Sequence, residues 1–301
     1  MKSVCVLMST YNGEKYIKEQ LESILKQKNV SMKIIVRDDG SKDNTINILK
    51  EYEEQGKINF YKGENLKPAF SFMDLLYNAP EMDFYAFADQ DDVWLEEKLF
   101  AAIKKMEKNE HKETVYFSNV ELVDENLNII MVNNNRVRNN LGEAFAHSPA
   151  IGCTMVINNK MRKKIIEKNI DGLQIGLHDS WIYRVALSIG ANIVYDENYY
   201  IKYRQHQNNV VGLSKKKSFT NKIRDIFRKR NKFKSYVAKN ILELYSNDIL
   251  EKNIKILKKL SKMTSSNNFI DKLKIILDKR YFSSSIKSNL EFFYDIIMGR
   301  G

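Results

Sequence analysis

Short apolar runs alternate with stretches of helical periodicity over the first third of the chain. Residues 4–8 (VCVLM), 33–36 and 58–61 read as strands, and 84–88 (FYAFA) as a fully buried one, because each is a brief apolar or aromatic run closed by turn formers. Between them, residues 14–28 bring Tyr16, Ile17, Leu21, Ile24 and Leu25 to one helical face, and 43–54 and 70–77 repeat that period. Such alternation through short links predicts an α/β fold with a mostly parallel central sheet and flanking helices on both faces. Residues 115–122, 129–132, 152–157, 193–196 and 199–203 add strands, and 160–168 and 180–189 add helices. From about residue 214 helical periodicity takes over, with 264–268 as a break and 282–298 as the last helix.

In parallel sheets ligands bind at the carboxyl ends of strands. Polar residues collect at those ends here: Ser9, Thr10, Tyr11 and Asn12 after the first strand, Asp38 and Asp39 after the second, and Asp89, Gln90, Asp91 and Asp92 after FYAFA. Carboxylates crowded at the end of a buried strand repel one another, which a cation would relieve. Oxygen ligands with no nearby Cys or paired His favour a hard ion, Mg²⁺ or Mn²⁺, shared with a substrate phosphate. The competing reading is a polar turn in which Asp92 caps the helix of WLEEKLFAAIKKM.

Composition changes this picture in two ways. At 301 residues, 43 % hydrophobic and 29 % charged, the chain has the make-up of an ordinary globular protein. Cys5 and Cys153 have no zinc or disulfide spacing, so a reducing cytoplasm is expected. The apolar N-terminal run is too short for a signal peptide, and no uncharged run reaches the roughly 18 residues of a membrane span. The net charge of +11 is uneven: residues 215–301 hold 22 Lys/Arg against 8 Asp/Glu (+14), and 1–214 hold 27 against 30 (−3). Basic residues interleaved with Phe and Ile fit helices lying on an anionic membrane surface. A packing or homodimerisation module is the alternative, and nucleic-acid binding is not expected because no recognition motif accompanies the charge.

The motifs STYNGEKYI, RDDGS, ADQDDVW and HDSW, in that order, resemble the family-2 glycosyltransferases of GT-A fold. The ADQDDVW form and YRQHQNNVVG are similar to the rhamnosyltransferase-like branch, which builds bacterial O-antigen, capsule and cell-wall polysaccharides. The resemblance covers roughly residues 1–212. It implies a GT-A domain over 1–213 (a nucleotide-binding half, 1–110, and an acceptor-binding half, 111–213) before the helical extension 214–301. It implies that Ser9, Thr10 and Tyr11 contact the nucleotide, with Tyr11 beside the base. Asp39 would accept the base N–H and Asp38 orient the loop or meet the ribose. Asp89 and Asp91 would be the D-x-D pair, Asp91 on the metal and Asp89 on ribose or metal, and Asp179 the catalytic base. His178 stands where many relatives have an acidic residue. The Q-x-x-R-W motif of processive synthases is absent, which implies one sugar per encounter.

Loss of the diphosphate from a nucleotide sugar builds negative charge that a metal on Asp91 would neutralise. The acceptor hydroxyl needs a base close by, which Asp179 would supply. A plain helix cap is the other reading of His178-Asp179. Arg204 and Gln90 could reach the diphosphate and His206 the metal, with solvated or structural roles as the alternative; Lys67 is placed to help with phosphate charge. Trp94 could stack on an acceptor sugar or anchor the core. Asp92, Gly152, Cys153 and His178 are placed on the acceptor side, Cys153 as a small packed hydrophobe rather than a nucleophile. The expected partners are a nucleotide-sugar donor (dTDP-rhamnose before UDP-hexoses) and a glycan or lipid-linked glycan acceptor at the inner face of the bacterial plasma membrane. A sugar-phosphate nucleotidyltransferase would need a Gly-rich basic loop, and STYNGEKYI has only Gly13. A degenerate scaffold subunit would not need Asp39, Asp91 and Asp179.

Overall fold

A computed structural model describes residues 1–132, 137–206, 233–263, 269–283 and 285–298. The basic stretch 214–232, the end of YRQHQNNVVG (207–212) and the expected break at 264–268 lie outside the described residues. The first half runs β1 (Ser3–Thr10), α1 (Ile17–Leu25), β2 (Ser31–Asp38), α2 (Thr45–Glu54), β3 (Asn59–Lys62), α3 (Lys67–Asn78), β4 (Phe84–Ala88), β5 (Val93–Trp94) and α4 (Lys98–Met106). There follow β6 (Thr114–Val123), β7 (Ile129–Val132), α5 (Leu141–Ala146), β8 (Val156–Asn158), α6 (Asn159–Ile166), α7 (His178–Ile189) and β9 (Asn192–Arg204). The described C-terminal helices are α8 (Phe233–Leu244), α9 (Glu251–Ser261), α10 (Phe269–Ile276) and α11 (Ile286–Met298).

The strands join in the order β3-β2-β1-β4-β8-β6-β9-β5, with β7 beside β6. The β3-β2-β1-β4 half is parallel, as the strand–helix alternation predicts. The other half is mixed: β8 is antiparallel to β4 and β6, β6 is parallel to β9, and β5 is antiparallel to β9. Register fixes the site. Thr10 lies opposite Asp38 and Met8 opposite Ala88, so the loops after β1, β2 and β4 leave from one edge.

Period-two side-chain alternation divides the core between the faces. Val4, Val6 and Met8 of β1 join Phe84, Ala86 and Ala88 of β4 in one buried cluster with residues of α1, α2 and α4. Cys5, Leu7, Tyr85 and Phe87 join the opposite cluster with α3 and α5–α7. Val237, Ile241, Leu257, Leu260, Phe292 and Ile296 of the C-terminal helices belong to that same cluster. At about 1.5–3 kcal/mol per fully buried large apolar side chain, this shared face stabilises both parts of the chain.

Several element limits differ from the sequence reading. Residues 152–154 form a 3₁₀ turn, so β8 is only Val156–Asn158. Residues 193–203 form one strand rather than two, because the polar Glu197 and Asn198 are absorbed by a register shift against Ser118 and Asn119. The helix expected from residue 14 begins at Ile17, since residues 13–16 form a turn in which Gly13 O accepts from Tyr16 N (3.1 Å).

Candidate active site

The loops at the shared edge are laced together before any ligand is considered. Gln90 Oε1 accepts from Tyr11 N (2.9 Å) and its Nε2 donates to Tyr11 O (3.1 Å), clamping the post-β4 loop to the post-β1 loop. A Cβ on Gly13 would collide with that amide, so a larger residue there would displace Gln90 and loosen the clamp. Asp38 is buried and accepts from Thr10 Oγ1 (3.1 Å), Gly40 N (3.1 Å), Ser41 N (2.9 Å) and Ser41 Oγ. It shapes its loop. Thr10 is 1 % exposed, while the Tyr11 ring is 45 % exposed and open to a planar ligand. Ser9 Oγ pairs with Ser71 Oγ (2.7 Å). Asp39 is buried and ion-paired with Arg37, whose Nε donates to Asp74 Oδ2 (2.9 Å) and whose Nη2 donates to Glu64 O (3.1 Å). Lys67 lies exposed at the start of α3 with φ +66°.

The acidic loop is held from behind by β9. Arg204 N donates to Asp92 Oδ1 (3.1 Å), Arg204 Nε to Asp91 O (2.8 Å) and Nη1 to Glu125 O (2.5 Å), while Nη2 pairs with Glu19. This corrects the expected diphosphate role of Arg204: at 2 % exposed and fully engaged, it is a brace for the loop. Gln90 likewise latches loops instead of facing phosphate. Gln20 Nε2 donates to Asp89 O (2.9 Å) from α1.

Asp92 is also corrected, as it neither caps α4 nor faces an acceptor. The cap position is Glu97. The Asp92 side chain is buried, Oδ2 has no hydrogen-bond partner, and burial followed by the charges of Asp91 and Asp89 pushes its carboxyl well above the usual range. Beneath it the buried Lys98 ammonium sits 3.6 Å over the Trp94 ring. Burial lowers that ammonium to about 7. Trp94 is 3 % exposed, so its ring serves the core and cannot stack on a sugar.

Asp89, partly buried, is raised to about 7 by burial and then by Asp91 and Asp179. His206 Nε2 lies 2.7 Å from Asp91 Oδ2, with the Tyr16 ring 5.1 Å from the imidazole. Carboxylate oxygens and an imidazole nitrogen at a crowded, under-neutralised edge are a donor set that fits a divalent cation. Donor atoms of Asp89, Asp92 and Cys153 also lie within 4.8 Å of one another. Among the described residues that is the one three-donor grouping; burial holds Asp92 and Cys153 toward their protonated forms, and the Asp91–His206 pair lies outside it.

Asp179 lies in the first turn of α7, whose cap is Leu177 without a side-chain bond, so the capping alternative does not hold. Its Oδ1 accepts from Ser180 N (2.5 Å). A Cβ on Gly152 would lie 2.8 Å from His178 Nε2 and 3.4 Å from Asp179 Oδ2, which explains a glycine in that 3₁₀ turn. The His178 ring packs at a tilt against Phe72 (4.1 Å) and Phe87 (5.0 Å), with neither nitrogen hydrogen-bonded. Burial lowers it to about 4, so it is neutral. Cys153 is buried and its thiol raised well above the usual range by burial, consistent with a packed residue.

Sequence reasoning missed Arg37, Glu19, Gln20 and Lys98. Arg37 was visible inside RDDGS, whereas Glu19 and Gln20 look like a solvent face until α1 is docked.

A half-parallel, half-mixed sheet with a carboxylate loop at its strand ends and a further aspartate on a helix facing it defines the donor side of a GT-A glycosyltransferase. The chain belongs to glycosyl transferase family 2, whose model matches residues 5–168. It is 32 % identical to the dTDP-rhamnosyl transferase RfbG of Shigella flexneri over 240 residues, 75 % of this chain and 80 % of that protein. It is 31 % identical over 123 residues to the UDP-Glc:alpha-D-GlcNAc-diphosphoundecaprenol beta-1,3-glucosyltransferase WfgD of Escherichia coli, 41 % of this chain and 47 % of that one. Among solved structures it is similar in fold to S. aureus TarS 1–349 in complex with UDP-GlcNAc (TM-score 0.58, 18 % identity, 100 % of this chain and 82 % of that chain). The mannosyltransferase PcManGT of Pyrobaculum calidifontis, solved with GDP-Man and Mn²⁺, is similar at TM-score 0.53 and 14 % identity, over 99 % of this chain and 86 % of that one.

Proposed function

We propose that this protein is an inverting, metal-dependent, non-processive glycosyltransferase that moves a sugar from a nucleotide-diphosphate donor to a hydroxyl of a bacterial surface glycan. The observation that carries the reading is that the turn carrying Gly152 and Cys153 joins the two sides: Cys153 Sγ lies within 4.8 Å of an Asp89 carboxylate oxygen, and Gly152 faces Asp179 Oδ2. dTDP-rhamnose is the favoured donor, supported by the likeness to RfbG; a UDP-hexose is the second reading, supported by the likeness to WfgD. The acceptor is a glycan, lipid-linked at the inner face of the plasma membrane.

Tyr11 offers an exposed ring to the base, and Asp39, held by Arg37, accepts the base N–H. Asp91, His206 and Asp89 would hold Mg²⁺ or Mn²⁺, which when bound supplies Lewis-acid neutralisation of the leaving diphosphate. Asp179 takes the acceptor hydroxyl proton as that oxygen attacks C1 opposite the diphosphate, which leaves as the C1–O bond breaks. Since Oδ1 is engaged with Ser180 N, Oδ2 on the Gly152 side receives the proton. Neutral His178 sits beside that oxygen without competing for charge.

The test is a thermal-shift screen of nucleotide sugars with and without Mn²⁺, since ligands that bind the native state raise its melting temperature. Asp91→Ala is expected to lose the metal-dependent shift, and Asp179→Asn to keep it and lose transfer. Near wild-type turnover by Asp179→Asn would reject the base assignment; no shift with any nucleotide would reject the reading as a whole.

A further inference from the structure

The last helix presents two apolar faces. Phe292 and Ile296 of α11 are buried against the core. Ile286 (78 % exposed), Leu290 (63 %) and Ile297 (50 %) share another face and meet water. Spacings of four and seven put them in one stripe along the helix. A soluble surface does not gather large apolar side chains this way without a use for them. The neighbouring helix continues the pattern, with Leu273 exposed on α10 and Leu277, four residues on, exposed just past its end. The two helices meet where Lys272 Nζ donates to Ile297 O (3.1 Å).

Beside this stripe, α9 and α10 enclose a cleft of about 270 Å³ lined by Lys258, Lys262, Lys272 and Lys274 together with Met263 and Ile275. Lysines lining one cleft give it a positive potential that attracts an anionic partner. Apolar residues flanked by lysines match the two layers of a membrane interface, acyl chains below and anionic headgroups above.

We propose that the α10–α11 face, with its lysine-lined cleft, docks the protein on an anionic lipid surface. A second copy of the chain would also cover an apolar stripe, but would bring two lysine-rich surfaces together, and like charges facing one another oppose association. A bilayer carrying negative headgroups satisfies stripe and cleft at once. The proposal deepens the reading of a lipid-linked acceptor and rests on it for its purpose, though the surface stands on its own geometry.

The experiment is co-sedimentation of the full chain with vesicles of phosphatidylcholine containing 30 mol % phosphatidylglycerol, against pure phosphatidylcholine. Thermal melts and light scattering are recorded on every variant. The wild type is expected to pellet only with the anionic vesicles and to be released by salt. Leu290→Ser/Ile297→Ser and, separately, Lys258→Gln/Lys274→Gln are expected to lower the partition coefficient by about tenfold or more, with melts and nucleotide-induced shifts retained. Failure of the wild type to bind, or binding unchanged in both variants, overturns the proposal. So does a wild-type dimer that Leu290→Ser/Ile297→Ser converts to monomer without affecting vesicle binding. Vesicle binding in a protein that no nucleotide sugar stabilises would sink the enzymatic reading and leave the docking surface standing.

Discussion

His178 shows how one residue links core and catalysis. The imidazole spends its faces on Phe72 and Phe87 and leaves both nitrogens unpaired beside Asp179. A buried histidine lowered from 6.5 to about 4 binds its proton more weakly in the folded chain than in the unfolded one. Between those values the unfolded state carries the extra proton, so acid favours unfolding and stability rises with pH. The contribution is fully present above pH 6.5 and is lost as pH falls toward 4, on the order of 3 kcal/mol across that window. Unfolding free energies of the wild type and His178→Leu between pH 4 and 7 check this: the wild type should show the steeper rise. At this scale the sequence was informative about residue type and poor about partnership. Asp38, Asp39, Asp91 and Asp179 announced themselves through their motifs. That Arg204 braces a loop more than a hundred residues away depends on tertiary contacts that no local pattern encodes, and the burial of Trp94 depends on the docking of β5 and α4 into the core.

Among the elements, the short 3₁₀ turn before β8 carries more function than its length indicates. It brings the Gly152 Cα against His178 and Asp179, where even one added methyl would intrude. Gly152→Ala is expected to move α7's first turn and reduce turnover about 10²-fold, the usual consequence of a displacement near 1 Å, with nucleotide-induced thermal shifts nearly unchanged. Steady-state rates set beside those shifts would check it; equal loss of both would place Gly152 in donor binding. Strongly periodic elements such as β4 and α1 were legible because one pattern dominated each. This turn was read as strand because GCTMVI is apolar and β-prone, and the short α5, with six residues, gave too little periodicity to register.

Across the whole molecule, the C-terminal helices behave as a wall of the catalytic domain. Val237, Ile241 and Leu257 share a cluster with Trp181, Tyr183 and Val185 of α7. Deleting residues 233–301 is therefore expected to lower the melting temperature by 10 °C or more, at roughly 2–4 °C per kcal/mol for a chain of this size, or to give insoluble protein. A truncated chain that melts like the full one would show that the shared cluster contributes little. Among the described residues no helix is long and apolar enough to cross a membrane.

The brace from Arg204 also sets an order of events. The carboxylates after β4 are made early in synthesis, yet the residue that braces their loop, Arg204, donating to Asp91 O, Asp92 Oδ1 and Glu19, is the last of β9. Contacts of such sequence separation form late, because a long loop must close before they reward the chain. Ligand competence should thus arrive last in refolding, after most helical signal has returned, and a nascent chain halted before residue 204 would carry the acidic motif without the architecture that makes it a receptor. Stopped-flow binding of a fluorescent nucleotide sugar, timed against circular dichroism, would reveal that lag.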